Sequence, residues 1–187
     1  MKCPWATSHP LLEEYHDNEW GTPIHDDILH FEFFTMDLFQ AGLSWLTILK
    51  KREGFREAFE GFDFRKIAKY DENRIQELLG NEKIIRNQLK IRATIHNARK
   101  FLEVIEEYGT FDKYIWQFTG DRTIHNNYTD EANLPASTEL SDTVSKDLKT
   151  RGFKFVGTTI IYAYMQAAGM INDHITSCFR YQHLNRQ

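Results

Sequence analysis

Apolar positions along the chain recur at helical spacing almost throughout. Asp26 precedes a crowded apolar run from Ile28 to Ala41, where Leu29, Phe33, Phe34, Met36 and Leu38 predict a core helix capped by the aspartate. Ser44 stands in the same position before Trp45 to Glu53, with Leu46, Ile48 and Leu49 ahead of a cationic end at Lys50-Lys51-Arg52. Asp63 and Asp71 predict caps for two short helices, and Ser8 with Pro10 opens another that ends near Gly21. The longest helix is predicted over Arg86 to Tyr108, from Leu89, Ala93, Ile95, Phe101, Leu102 and Ile105. Further helices follow over Thr110 to Phe118, Ser141 to Thr150 and Val156 to Met170, and Thr119 to Ser137 is the one long loop. No stretch alternates long enough to argue for a sheet. The pattern is all-α, with about nine to eleven helices and no internal repeat.

At 187 residues the chain has room for one ordinary domain. With 41% hydrophobic and 27% charged residues, disordered and fibrous classes are excluded. The two cysteines, Cys3 and Cys178, are too few for a disulfide scaffold or a four-cysteine iron–sulfur cluster. Residues 1–20 hold Glu13, Glu14, Asp17 and Glu19, unlike a secretory signal. The longest uncharged stretch, Phe155 to Asn172, is broken by Gly157, Gln166 and Gly169 and reads as a buried helix, not a membrane span. A cytoplasmic protein with reduced thiols and no membrane contact is the expectation.

The net charge of −4 places any nucleic-acid contact on a local patch. Lys83, Arg86, Lys90, Arg92, Arg99 and Lys100 form a cationic stripe with no acidic residue between them, which suits phosphate. A solvated helix side accounts for the same stripe.

His174 and Cys178 are spaced i, i+4, which on a helix puts both side chains on one face. Cys3 and His16 supply the same two ligand types from the other terminus. Two cysteines and two histidines suit tetrahedral zinc in a closed, structural site that ties the chain ends together. A disulfide between Cys3 and Cys178 is the rival arrangement. Trp5, Tyr15, Trp20 and Trp45 cluster early in the chain, with one carboxylate, Asp37, inside a helix otherwise largely apolar. Rings around a buried acid suit a flat, cationic ligand held by stacking and by hydrogen bonds to its edge. Ordinary core filling is the alternative for each tryptophan alone.

The blocks Tyr15 to Gly21, Gln40 to Trp45 with Thr47 to Arg52, Arg151 to Thr159 and Asn172 to His174 resemble those of the 3-methyladenine DNA glycosylase I family, and the resemblance spans almost the whole chain. It implies an all-α helix-hairpin-helix glycosylase fold with two helical lobes, the termini joined by a zinc. One lobe is expected over roughly 26–140, with the hairpin near 78–92. The other combines 1–25 with 141–187, all within one glycosylase domain of 1–187. Carried over residue by residue, the family's zinc ligands fall on Cys3, His16, His174 and Cys178. Its base-pocket aromatics fall on Trp5, Tyr15 and Trp45, with Trp20 beside them, and its intercalating turn falls on Gly42 and Leu43, the leucine acting as an apolar wedge. Asp37 is expected to recognise the base, and Lys83, Arg86 and Lys90 to contact phosphate, with Arg151 and Lys154 as second candidates.

The implied activity is hydrolytic release of 3-methyladenine from double-stranded alkylated DNA by a monomer, without strand cleavage. Three positions depart from the family pattern. Asp37 stands where glutamate is usual, Leu12 replaces a pocket tyrosine, and Lys83 replaces the glycine of a Gly-Ile-Ile-Arg hairpin. The competing readings are a homologue that binds damaged DNA without excising bases, its pocket altered at Asp37 and Leu12, and a zinc-stapled scaffold without a nucleic-acid role.

Overall fold

The computed structural model describes residues 1–186 and contains ten α-helices among them. In chain order they are α1 (Pro10–Asn18), α2 (Asp27–Gln40), α3 (Trp45–Ala58), α4 (Phe64–Ile67), α5 (Glu72–Gly80), α6 (Gln88–Tyr108), α7 (Phe111–Trp116), α8 (Glu139–Thr150), α9 (Thr158–Ala167) and α10 (Phe179–Leu184). Most begin where a short polar side chain accepts a backbone N–H that the first turn leaves unpaired. Asp26 takes the N–H groups of Ile28 and Leu29, and Asp71, Asn87 and Thr110 each take one in the same way. Thr138 and Ser141 cap α8 reciprocally, so this helix starts two residues before the serine expected to open it. At α1 the cap is His9 rather than Ser8, its ring nitrogen accepting the Leu11 N–H at 3.1 Å.

The centre of the fold is α2. Its residues from His30 to Phe39 are all buried, and it packs against α3, α6, α7 and α9. A helix buried on every side carries apolar residues all round, and Phe31, Phe33, Phe34, Met36, Leu38 and Phe39 supply them. Phe101 of α6 and Phe111 of α7 stack at 3.7 Å and meet Phe34 and Phe153 edge-on or tilted. Two buried ionisable groups of α2, Glu32 and His30, have partners from neighbouring helices. Arg52 and Arg56 donate to Glu32, and His30 lies between the Tyr164 hydroxyl at 2.7 Å and Asp112 at 3.0 Å.

Two features differ from the sequence pattern. Ile124–His125 (β1) and Ile171–Asn172 (β2) form a two-residue parallel pair, too short to show as alternation. This pair, with the Trp5 N–H donating to Glu131, ties the loop after residue 119 to the terminal segments. A single hydrophobic core runs through both groups of helices.

Gly169 lets the two ends of the chain meet. It adopts φ +71°, and a Cβ there would lie 2.3 Å from Pro23 N. The Gly21 and Ile24 N–H groups donate to the carbonyls of Gln166 and Ala168 across the same contact. Gly42 has φ +78° but open space where a Cβ would go. Gly169→Ala should therefore lose about 2–4 kcal/mol, or roughly 5–15 °C in Tm, from backbone strain plus overlap. Gly42→Ala should lose only about 1–2 kcal/mol, and thermal unfolding of the two variants checks the difference.

Candidate functional site

Cys3, His16, His174 and Cys178 converge, all buried, with their ligand atoms within 4.8 Å of one another. Cys3 lies just before a 3-10 turn (Pro4–Ser8), and His16 is in the last turn of α1. His174 and Cys178 do not lie on a helix as their spacing suggested. Residues 173–177 form a turn, and Cys178 immediately precedes α10. A local side chain and a distant carbonyl take backbone N–H groups of this segment: the His174 N–H donates to Asn172 Oδ1, two residues earlier, and the Thr176 N–H to the Tyr128 carbonyl.

Each imidazole offers one nitrogen to the cluster and commits the other. His174 Nε2 donates to the Trp20 carbonyl at 2.9 Å, leaving Nδ1 for the centre, and His16 Nδ1 donates to Asp17 at 2.8 Å, leaving Nε2. Such outer hydrogen bonds fix the tautomer a metal needs. His174 Nδ1 lies 3.6 Å from either sulfur and 3.2 Å from His16 Nε2, and Cys178 Sγ lies 3.5 Å from His16 Nε2. A tetrahedral zinc with bonds of about 2.3 Å to sulfur and about 2.05 Å to nitrogen requires separations of about 3.6 Å and about 3.3 Å. The donor set fits. Hydrogen bonding from the Cys3 thiol pulls the Cys178 thiol below its usual pKa, while the same bond together with burial holds Cys3 up. Both cysteines are free, so the disulfide arrangement is not formed.

Against this cluster stands an aromatic cavity of about 190 Å³, lined by Trp5, Tyr15, Trp20, Asp37, Gln40, Trp45, Ala163 and Gln166. Trp20 meets Trp5 edge-on at 5.1 Å and His174 at 4.5 Å, and Tyr15 meets Trp45 at 5.1 Å. The four aromatics expected from sequence are thus brought together with Asp37. Gln40, Ala163 and Gln166 were not foreseen, because the last two lie in an apolar stretch with no local signal of chemistry. Leu12 is buried in the core and does not line the cavity.

Asp37 is 3% exposed, and its Oδ2 has no hydrogen-bond partner, nor has Trp45 Nε1. Unpartnered buried polar atoms are rare, and two on residues that line one cavity point to a ligand that would satisfy them. With no cation beside it, burial pushes the Asp37 carboxyl well above the usual carboxylate range. The arrangement can stack a flat ring, accept hydrogen bonds at its edge, and balance a positive charge.

The turn between α2 and α3 leads directly from this cavity, since Gln40 and Trp45 flank it. Gly42 takes the left-handed conformation there and Leu43 is 39% exposed, an apolar side chain directed to solvent. Lys83 and Arg86 lie on the exposed segment 81–87 between α5 and α6, weakly engaged by Glu57 and Glu82. That segment rests on α3 at Gly54, where a Cβ would come within 2.4 Å of the Lys83 carbonyl.

Lys90 corrects the expectation of a phosphate contact. It is 7% exposed, and its Nζ donates to the carbonyls of Phe39 at 2.8 Å and Ala41 at 2.6 Å. The last carbonyls of a helix need outside donors, and α6 packs its first turn where α2 ends, so the ammonium is spent there.

Comparison with known proteins agrees with this geometry. The family model described as methyladenine glycosylase matches residues 5–181. The chain is 44% identical over 180 residues to the Escherichia coli (strain K12) DNA-3-methyladenine glycosylase 1, covering 96% of each. It is 41% identical over 177 residues to a DNA-3-methyladenine glycosylase of Haemophilus influenzae, covering 95% of this chain and 96% of that one. A solved structure of 3-methyladenine DNA glycosylase I from Staphylococcus aureus, described as giving the basis of 3-methyladenine recognition, matches with TM-score 0.92 at 32% identity over 95% of both chains.

The burial of Asp37 predicts a stability cost with a defined sign. A carboxyl whose pKa is raised by folding holds its proton in the native state after the unfolded chain has lost it. Native stability therefore falls as pH rises from the unfolded value toward the folded one. Asp37→Asn removes that dependence. Its melting temperature relative to the parent should climb as pH rises above the ordinary carboxylate range, by the equivalent of up to roughly 1.4 kcal/mol per pH unit, in thermal melts from pH 4 upward. A constant offset would contradict the assignment.

Proposed function

The chain belongs to the methyladenine glycosylase family, and from that membership we propose that it is a DNA-repair hydrolase that releases 3-methyladenine from alkylated DNA. The observation that carries this reading is the unpartnered Asp37 oxygen inside a tryptophan- and tyrosine-lined cavity. The acid reaches the cavity wall although it is one methylene shorter than the glutamate usual in the family. This favours an active enzyme over a homologue that only binds damage.

Methylation at N3 gives adenine a positive charge and makes it a good leaving group, so no residue need protonate it. The work of this chain is to receive the flipped base and hold it while the glycosidic bond lengthens. Trp5, Tyr15, Trp20 and Trp45 enclose the ring, and the cation draws the Asp37 carboxyl into its ionised form as the two pair. Water then attacks the oxocarbenium-like sugar, and no side-chain amine is assigned to strand cleavage. The α5–turn–α6 unit is read as the helix-hairpin-helix element. Lys83 and Arg86 face duplex phosphates, and Leu43 fills the gap left by the extruded base. Lys90 braces that turn from beneath.

Cys3, His16, His174 and Cys178 are read as a structural zinc site. When bound, the ion supplies no chemistry to the reaction and joins the chain ends. The protein is read as a monomer acting in the cytoplasm. No helix among the described residues is long and apolar enough to cross a membrane.

Incubation with methylated duplex DNA and chromatography of the freed bases tests the activity. The parent should release 3-methyladenine, and Asp37→Asn should slow release about 100-fold while keeping its fold. That is the scale of a charged hydrogen bond lost from a desolvated site. Parent protein that binds such DNA but frees no base would establish the non-catalytic reading instead. Elemental analysis should find one zinc per chain, lost in Cys178→Ala together with a drop in Tm.

A further inference from the structure

Gln166 borders the cavity from α9, and its amide is not free to turn. Its Nε2 donates to Asp173 Oδ2 at 2.7 Å. The Tyr162 hydroxyl donates to the same oxygen, and Asn126 Nδ2 donates to Oδ1 at 2.7 Å. Asp173 is 1% exposed, so its carboxylate is satisfied by these three donors from α9 and the loop after β1. An ionised carboxylate only accepts hydrogen bonds. Turning the Gln166 amide over would set oxygen against oxygen in a buried place, so its NH₂ half stays on Asp173. The carbonyl Oε1 is left as the polar atom free to serve the cavity.

We propose that Gln166 Oε1, locked by Asp173, is a second acceptor of the base pocket and selects purines with an exocyclic amine at C6 over those with a 6-oxo group. The inference rests on the base-pocket reading above and adds a specificity residue to it. Asp37 and Gln166 both line the cavity, so Gln166 Oε1 adds a fixed acceptor to the pocket that holds the Asp37 carboxyl, and a 6-amino group carries two N–H donors. A 6-oxo purine, such as 3-methylguanine, brings an oxygen to the same place, where it meets an acceptor and leaves both atoms unpaired out of water. A site built to bond one partner rejects the mismatched one by about 10- to 100-fold per unpaired group.

Free bases allow the test without relying on catalysis. Quenching of tryptophan fluorescence is titrated with 3-methyladenine and with 3-methylhypoxanthine, which carries a 6-oxo group in place of the amine, on the full-length protein. The parent should favour the amine by about 10- to 100-fold. In Gln166→Met, of similar length but without the acceptor, that ratio should fall about tenfold, mostly through weaker binding of the amine. Asp173→Asn, which does not touch the ligand, frees the amide to turn and should lower the same ratio by strengthening binding of the 6-oxo base. A merely structural role for Asp173 would weaken both bases alike. A parent-like ratio in Gln166→Met overturns the proposal while leaving the pocket reading intact. Failure of the parent to bind either base overturns both.

Discussion

The imidazole of His174 faces two ways, and the positions of both the chain ends and the pocket depend on it. Nδ1 points into the group of two thiols and the His16 ring, and Nε2 is bonded to the carbonyl of Trp20. Trp20 is also a wall of the cavity and packs edge-on against Trp5. Gly21 follows so closely that a Cβ there would sit 3.2 Å from the His174 ring. The fold thus joins residue 3 to residue 178 at the same place where it aligns its aromatic walls. A link between such distant positions removes more unfolded-chain freedom than any local contact could.

A second constraint comes from α2. Burying a helix on all sides obliges every polar side chain on it to find a partner, because an unpaired one costs about 1–3 kcal/mol. Glu32 meets two arginines, and His30 meets a tyrosine and an aspartate. Asp37 alone among these ionisable groups keeps a buried oxygen with no partner, and with Gln40 it is one of the two residues of α2 that line the aromatic cavity. The exception is informative because the rule is kept elsewhere on the same helix. Local destabilisation of this kind persists where a ligand completes the interaction.

The parts legible in the sequence were those governed by local chemistry. Asp26, Ser44, Asp63 and Asp71 announce helix starts because a cap acts on the next two or three residues. The ligand types and the aromatic set were readable because both cysteines and most tryptophans fall into them. Tertiary effects were not readable. His174 and Cys178 meet across a turn rather than along a helix, where the distant Tyr128 carbonyl takes the Thr176 N–H. Lys90 belongs to a cationic stripe in sequence, yet the end of α2 lies against it and claims its ammonium. Gln166 sits in an uncharged run, and only the position of Asp173 shows which way its amide turns.

Lys90 also explains how separate elements hold a common geometry. By bonding the carbonyls of Phe39 and Ala41, it fixes the start of the turn that carries Leu43 to the first turn of α6. The segment preceding α6 carries Lys83 and Arg86 and is seated on α3 at Gly54, and α3 begins with Trp45 of the cavity. The turn that bears Leu43, the cations Lys83 and Arg86 and one aromatic wall are therefore connected through short, packed contacts rather than long loops. Preorganisation of this kind matters because pulling a base out of a stacked duplex costs a few kcal/mol before any chemistry begins. A rigid spacing between the groups that hold the backbone and the slot that takes the base lets binding energy from the first offset the cost of the second. Burying a lysine to stiffen the turn at Gly42 and Leu43 is consistent with the wedge proposed there, and it accounts for a cation that phosphate contact alone would have left on the surface.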